Sequence, residues 1–249
     1  MKTHDMNQLW VEDRGWDLEG DCPTLLDNST RSADGSARAY FRDLEVHLVR
    51  HIREAPIVLG CVAWLTSDGI LEALAGVQEC VAIVVQKEDF LRPDLGTDDG
   101  WKRRLRARYD ALKNPPDRWQ WGGMLGSLSY GGWQEIEPVR CVGNHNRDRR
   151  PAFPRMHNKF LVFCQPRRIS PEENGDDGCF GIFQPRPYAV WTGSFNFTRN
   201  AGMSLENALY LTDHQIVQAY FREWEQIEAI SEPLDWEQDW SEPQWRIGS

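Results

Sequence analysis

The chain has 249 residues, 41% of them hydrophobic and 27% charged, which suits one large folded domain and argues against wholesale disorder. Its formal net charge of −10 argues at first against a polyanionic partner, but the charge is segregated along the sequence. The opening MKTHDMNQLW has no apolar centre and does not read as a secretory signal, and the longest apolar stretch, Ile57 to Leu65, is too short to cross a bilayer. A cytoplasmic location away from membranes is the expectation.

Residues 1–36 are polar and acidic and read as a loosely packed lead-in. Residues 37–55 repeat apolar side chains at helical spacing, with Phe41, Leu44, Leu48 and Ile52 on one face, until Pro56 ends the helix. The run IVLGCVAWL suits a strand covered on both faces. Thr66-Ser67-Asp68-Gly69 offers caps to a short helix, ILEALAGV, and VAIVVQ at 81–86 is a second buried strand. Helix, strand, helix and strand in that order predict an α/β unit with a parallel pair.

WKRRLRARYDALKN predicts a helix stopped by Pro115-Pro116. Residues 119–133, WQWGGMLGSLSYGGW, read as a long loop or hairpin with either a functional or an interface role. PVRCVG at 138–143 is a third strand, and the basic loop NHNRDRRPAFPR leads into a fourth, MHNKFLVF. Residues 165–187 read as a polar surface excursion, YAVWTGSFN as a fifth strand and SLENALYL as a sixth. A closing helix at 213–230 carries Ile216, Tyr220, Trp224 and Ile227 on one stripe, with Val217 and Phe221 beside it. The division expected is a lead-in at 1–36, a catalytic domain at 37–230 and an acidic, Trp-rich tail at 231–249.

Two stretches are basic. WKRRLRAR at 101–108 has five cations and no acid, and residues 140–168 have eight Lys or Arg against Asp148 alone. Each is either a solvated face or part of a phosphate-tracking surface. The six cysteines, Cys22, Cys61, Cys80, Cys141, Cys164 and Cys179, form no Cys-x-x-Cys pair, so buried thiols are expected rather than structural zinc. His47 and His51 stand four apart on a helix without a third ligand nearby and read as surface histidines. No metal or cofactor is expected.

His157 and Lys159 lie at the start of an apolar strand, where alternation points both to one face and makes an imidazole and an ammonium converge. Alone this triplet says little. Ser194 and Asn196, in Gly193-Ser194-Phe195-Asn196-Phe197-Thr198, share a face at the end of another apolar strand and offer small polar donors to phosphate oxygens. Glu206, in Ser204-Leu205-Glu206-Asn207, enters a third strand, where its carboxylate can accept from the histidine Nδ1–H, fix the tautomer and leave Nε2 free to attack. Three strands each supplying one part of a site is a far more specific signal than any part alone.

In HNKFLVFC, TGSFNFT and SLENALYL the chain resembles the phospholipase D superfamily, whose mark is H-x-K-x4-D followed by G-S-x-N, and especially its short bacterial endonucleases with one motif per chain. The resemblance implies a mixed sheet flanked by helices, one half-unit per chain, completed as a two-fold dimer. It implies His157 as nucleophile, Lys159 and Asn196 as phosphate ligands, Ser194 as their assistant and Glu206 as the carboxylate orienting the histidine. Cys164 stands where the motif has aspartate. On a strand, positions 157, 159, 161 and 163 share a face and 164 lies opposite, so a structural role is expected for that position and its change should be tolerated.

A single motif supplies a single catalytic histidine, and a two-fold axis supplies the second as general acid and base. The expected activity is metal-independent phosphodiester cleavage through a phosphohistidine, with DNA or RNA as substrate. Arg147, Arg149, Arg150 and Arg155 stand at the mouth of the site to bind the phosphate backbone, while Trp119, Trp121 and Trp133 either stack on unpaired bases or bury at the dimer contact. Two rivals stay open: a phospholipase or phosphatidyl transferase with the same catalytic residues, and a catalytically dead protein that holds phosphate or nucleic acid. No basic amphipathic helix with a free apolar face is evident for lipid. The tail's tryptophans are expected to pack along the domain surface, with a protein partner for the tail as the alternative.

Overall fold

A computed structural model describes residues 5–8, 26–92, 100–115, 137–145, 153–169 and 182–236. Its centre is an eight-stranded mixed sheet ordered β1-β2-β8-β7-β6-β3-β4-β5. The strands are β1 (Thr30–Arg31), β2 (Ala37–Tyr40), β3 (Ile57–Val62), β4 (Cys80–Gln86), β5 (Val139–Val142), β6 (Lys159–Ile169), β7 (Ile182–Gly193) and β8 (Ala208–Leu211). β3, β4 and β5 run parallel, in the register Ile57↔Cys80 and Ile83↔Val139. β6 lies antiparallel to both β3 and β7, and β8 antiparallel to β7.

β3 and β4 are buried at every position, as the continuous apolar runs require of strands covered on both faces. One face carries α1 (Leu44–Glu54), α2 (Asp68–Ala75) and α3 (Gly100–Asp110), whose Leu48, Ile52, Leu74 and Tyr109 pack on Val58, Ile83, Leu161 and Phe163. The other carries α5 (His214–Ala229), whose Val217, Trp224 and Ile227 pack on Leu59, Val84, Val162 and Cys164. A single turn, α4 (Arg199–Gly202), follows β7. Ser67 caps α2 by accepting from the Ile70 N–H, and Asp213 caps α5 by accepting from the Ile216 N–H.

Several expectations change. The helix expected from Ala37 begins only at Leu44: residues 37–40 instead form β2, which pairs with β8 from Ala37↔Leu211 to Tyr40↔Ala208, and Asp43 takes a left-handed φ of 50° between strand and helix. Tyr40 and His51 thus meet side by side, with 3.0 Å from the hydroxyl to His51 Nε2. His51 is therefore not a surface histidine: it is buried, its ring stacks 3.9 Å from Tyr210, and burial holds its pKa down at about 4. Residues 165–187 are not a loose excursion throughout. β6 and β7 continue pairing from Gln165↔Arg186 to Ile169↔Ile182, and positions 165–168 read as polar because they stand exposed. On α5, Ile216 is 42% exposed and Val217 is buried in its place.

The first residues of the C-terminal tail belong to the domain. Glu232 exchanges both backbone hydrogen bonds with Cys141, which closes the free edge of β5. Lys87, fully buried, pairs with Glu232 and sits 4.5 Å from the Trp236 ring centroid. Arg140 donates to Ser231 Oγ at 2.8 Å, and Arg106 donates to the Leu234 carbonyl at 2.7 Å. Trp236 thus packs along the surface of the domain, as does the segment leading to it.

Cys164 has no solvent exposure and lies on the α5 face, in an apolar layer with Ile57, Cys80 and Trp224, while Lys159 enters the strand on the other face. Burial drives its thiol pKa well up, so it is an inert apolar side chain. A carboxylate there would be buried without a partner. Cys164→Asp is expected to lower stability by about 3–5 kcal/mol in urea unfolding; an unchanged midpoint would contradict the placement.

Candidate active site

The sheet's direction gathers the chemistry at one edge. β3, β4 and β7 end there, and β6 and β8 begin there. Val62, the last residue of β3, pairs with Lys159, the first of β6, and the Ala63 N–H donates to the Asn158 carbonyl at 2.8 Å. His157 and Lys159 therefore flank a backbone bond that fixes the strand's entry.

Lys159 is 9% exposed, whereas His157 faces solvent. Its Nζ donates to the His157 carbonyl at 2.9 Å and lies 3.2 Å from Nδ1 and 3.4 Å from Nε2 of the imidazole. The convergence expected of the two side chains is present. Burial, and then the cations of Lys159 and Arg155, hold the imidazole below the usual histidine range. Burial also lowers the Lys159 ammonium, against the opposing pull of Glu206. The uncharged form of the imidazole is thus favoured beside a cation.

The Gly193–Thr198 turn is stitched to the segment after β3. The N–H groups of Thr66 and Ser67 both donate to the Phe197 carbonyl at 2.8 Å, and Thr198 caps α4. Phe195 and Phe197 enter the core, which turns Ser194 and Asn196 outward. Gly193 sits against β8 so closely that a Cβ would strike the Asn207 carbonyl oxygen. Asn196 lines a cleft of about 440 Å³ together with Trp64, Thr66, Phe90 and Glu206, and its Oδ1 has no hydrogen-bond partner among the described residues.

Glu206 does not orient the histidine here. Its carboxylate accepts from Ser194 Oγ, which also accepts from the Asn207 N–H at 3.1 Å, while Lys159 occupies the neighbourhood of Nδ1. The reason is register: Gly193 pairs with Ala208, so the residues just past each strand end, Ser194 and Glu206-Asn207, face one another. Arg155 is also committed, in an ion pair with Glu88, and is not free for substrate. Arg147, Arg149 and Arg150 lie outside the described residues, as do Trp119, Trp121 and Trp133. In the basic helix, Arg106 and Arg108 are paired with Asp235 and Asp68.

Three residues that no motif signalled complete the arrangement. Trp64 packs edge-on against His157, with ring centroids 5.6 Å apart and planes at 81°, and donates from its indole N–H to Glu88 at 3.0 Å. Glu88 accepts from Arg155 as well, so one carboxylate holds both neighbours of the imidazole. Buried Gln86 accepts from the Met156 N–H at 2.7 Å, which anchors the backbone immediately before His157. The signal available was position alone: all three lie at or just past the ends of β3 and β4, where ligands bind in open α/β sheets. Among the described residues no group of three or more His, Cys, Asp or Glu side chains is arranged to hold a metal, and no helix is long and apolar enough to cross a membrane.

The fold is similar to that of Nuc, a phospholipase D family member from Salmonella typhimurium, at TM-score 0.44 and 16% identity over 79% of this chain and 95% of that one. It is similar also to NucT from Helicobacter pylori, at TM-score 0.48 and 13% identity over 79% of this chain and 98% of that one. No family profile matches the sequence. Over 217 residues, 82% of this chain and 69% of the other, the sequence is 32% identical to the uncharacterized protein L381 of Acanthamoeba polyphaga mimivirus, and the chain belongs to that protein's family.

Proposed function

We propose that this chain is a metal-independent phosphodiesterase of the phospholipase D type, a nuclease with His157 as its nucleophile. The observation that carries the reading is the contact of the Lys159 ammonium with an imidazole whose charged form is disfavoured by burial and neighbouring cations. Lys159 has three donors; one is used on the His157 carbonyl and one faces the imidazole nitrogens, which leaves one for a phosphate oxygen. Asn196 is the neutral donor to the same group through its amide NH2, while the Ser194 hydroxyl, donated to Glu206, assists by holding the turn.

In this mechanism an imidazole nitrogen of His157 attacks phosphorus and the bond to the leaving oxygen breaks, which gives a phosphohistidine and an alkoxide that takes a proton. The proton comes from a second imidazole, the partner's His157 across a two-fold axis. That same group then removes a proton from water as the water oxygen attacks the phosphohistidine, releasing a phosphomonoester and restoring both histidines. The two imidazoles titrate as a coupled pair. Lysine charge takes the place that a metal ion has in other phosphodiesterases.

DNA or RNA is the substrate class in this reading, and an enzyme acting on phospholipids through the same residues is the first rival. A dead site that only binds is the second. Purified protein incubated with labelled DNA, RNA and phospholipid, with EDTA present, separates the three. Nucleic acid is expected to be cut in EDTA, and activity abolished by the chelator would refute the metal-free mechanism. His157→Ala is expected to fall to background, and Asn196→Ala to lose about 10²–10³-fold in kcat.

The acid limb of kcat/KM reports the free imidazole. It is expected below the ordinary histidine value of 6.5, because burial and two cations disfavour the charged form. Arg155→Met removes one of those cations, so the limb should move up in pH. A downward move, or none, would contradict the electrostatic account.

A further inference from the structure

The cleft beside Asn196 has aromatic walls that the chemistry at phosphorus does not use. Trp64 stands on the side of His157, with its indole N–H held by Glu88, and Phe90 lines the same cleft. Beyond Phe90, at a centroid distance of 5.8 Å and an angle of 41°, lies Trp101 at the start of α3. Trp101 is 46% exposed, which is unusual for the largest apolar side chain, and the Lys102 ammonium stands 6.0 Å from its ring centroid. Arg103 and Arg104 follow on the exposed surface of the helix. A line of aromatic side chains therefore leads away from the nucleophile and ends in cations.

We infer that this line is a binding track for single-stranded nucleic acid, with one unpaired base entering the cleft against Trp64 and the next stacking at Phe90 and Trp101. The inference rests on the nuclease reading above and names its substrate. A base offers a π-face to these rings only when it is unstacked, which a duplex does not allow without disruption. The volume of about 440 Å³ falls within the range of small-molecule pockets, and the lining is mixed, with the aromatic Trp64 and Phe90 beside the polar Thr66, Asn196 and Thr198. That combination suits a flat heterocycle with hydrogen-bonding edges.

The charge inventory points the same way. The net charge is −10, and Arg106, Arg108 and Arg155 are each committed to an internal carboxylate. Among the described residues, the other cations along the track are Arg103 and Arg104 at one end and Lys159 at the other.

The test is equilibrium binding of a fluorescent twelve-nucleotide single strand, and of the same sequence as a duplex, to wild type and to His157→Ala, which permits binding to be read without turnover. The single strand is expected to bind more tightly than the duplex. Trp101→Ala, at an exposed position, should weaken single-strand binding by about 5- to 150-fold, the loss of one stacked base. Phe90→Leu keeps the core filled and should weaken it in the same direction. Equal affinity for strand and duplex, an unchanged Kd in Trp101→Ala, or binding to phosphatidylcholine vesicles in preference to either oligonucleotide would overturn the inference. Cleavage that persists in His157→Ala would instead defeat the catalytic reading and leave the binding comparison legible.

Discussion

The site depends on one strand running against its neighbours. β6 is inserted antiparallel between β3 and β7, so the start of β6 lies beside the ends of both. Because of that direction, the residues that enter β6, His157 and Lys159, meet those that leave β3, β4 and β7. A parallel β6 would carry His157 to the far edge, more than a strand's length from Trp64 and Asn196. The energetic security of the arrangement is the apolar sheet itself: Val62, Phe160, Leu161 and Trp191 are buried around the strand that presents the pair.

On that frame the electrostatics follow from partial burial. Lys159 is nearly covered while its ammonium reaches the His157 ring, so charge is held close to the imidazole in a poorly solvated place. Glu206 acts against this from the β8 side, and Glu88 compensates Arg155 from the β4 side. The carboxylates surround the cationic pair without touching the imidazole. In the proposed reaction an incoming phosphate meets the Lys159 ammonium and the Asn196 amide, with Trp64 packed edge-on against the His157 ring.

The strands and their polarity were legible where composition left little choice. IVLGCV and CVAIVVQ have no polar face and so had to be interior, and the cap at Ser67 marked the helix between them. Ala37–Tyr40 was misread because four residues with two alanines fit a helical stripe as well as a strand, and only pairing with β8 decides. The outer β6–β7 ribbon was misread because its exposed residues have lost the apolar alternation. At the site, the spacing of His157 and Lys159 was enough to predict that those two side chains meet. Spacing within one strand says nothing about register between two, and so the partner of Glu206 was missed. Trp64, Gln86 and Glu88 carry no motif and become visible only once β3, β4 and β6 are laid side by side.

The central claim is a covalent bond between phosphorus and His157. It is tested most directly by quenching the wild-type protein in alkali during turnover of a phosphodiester labelled on the side that stays with phosphorus, then mapping the label by mass spectrometry. The account predicts label on the peptide that contains His157, stable to base, released by mild acid and absent from His157→Ala. Steady turnover with no retained label, or label that maps to another residue, would contradict it.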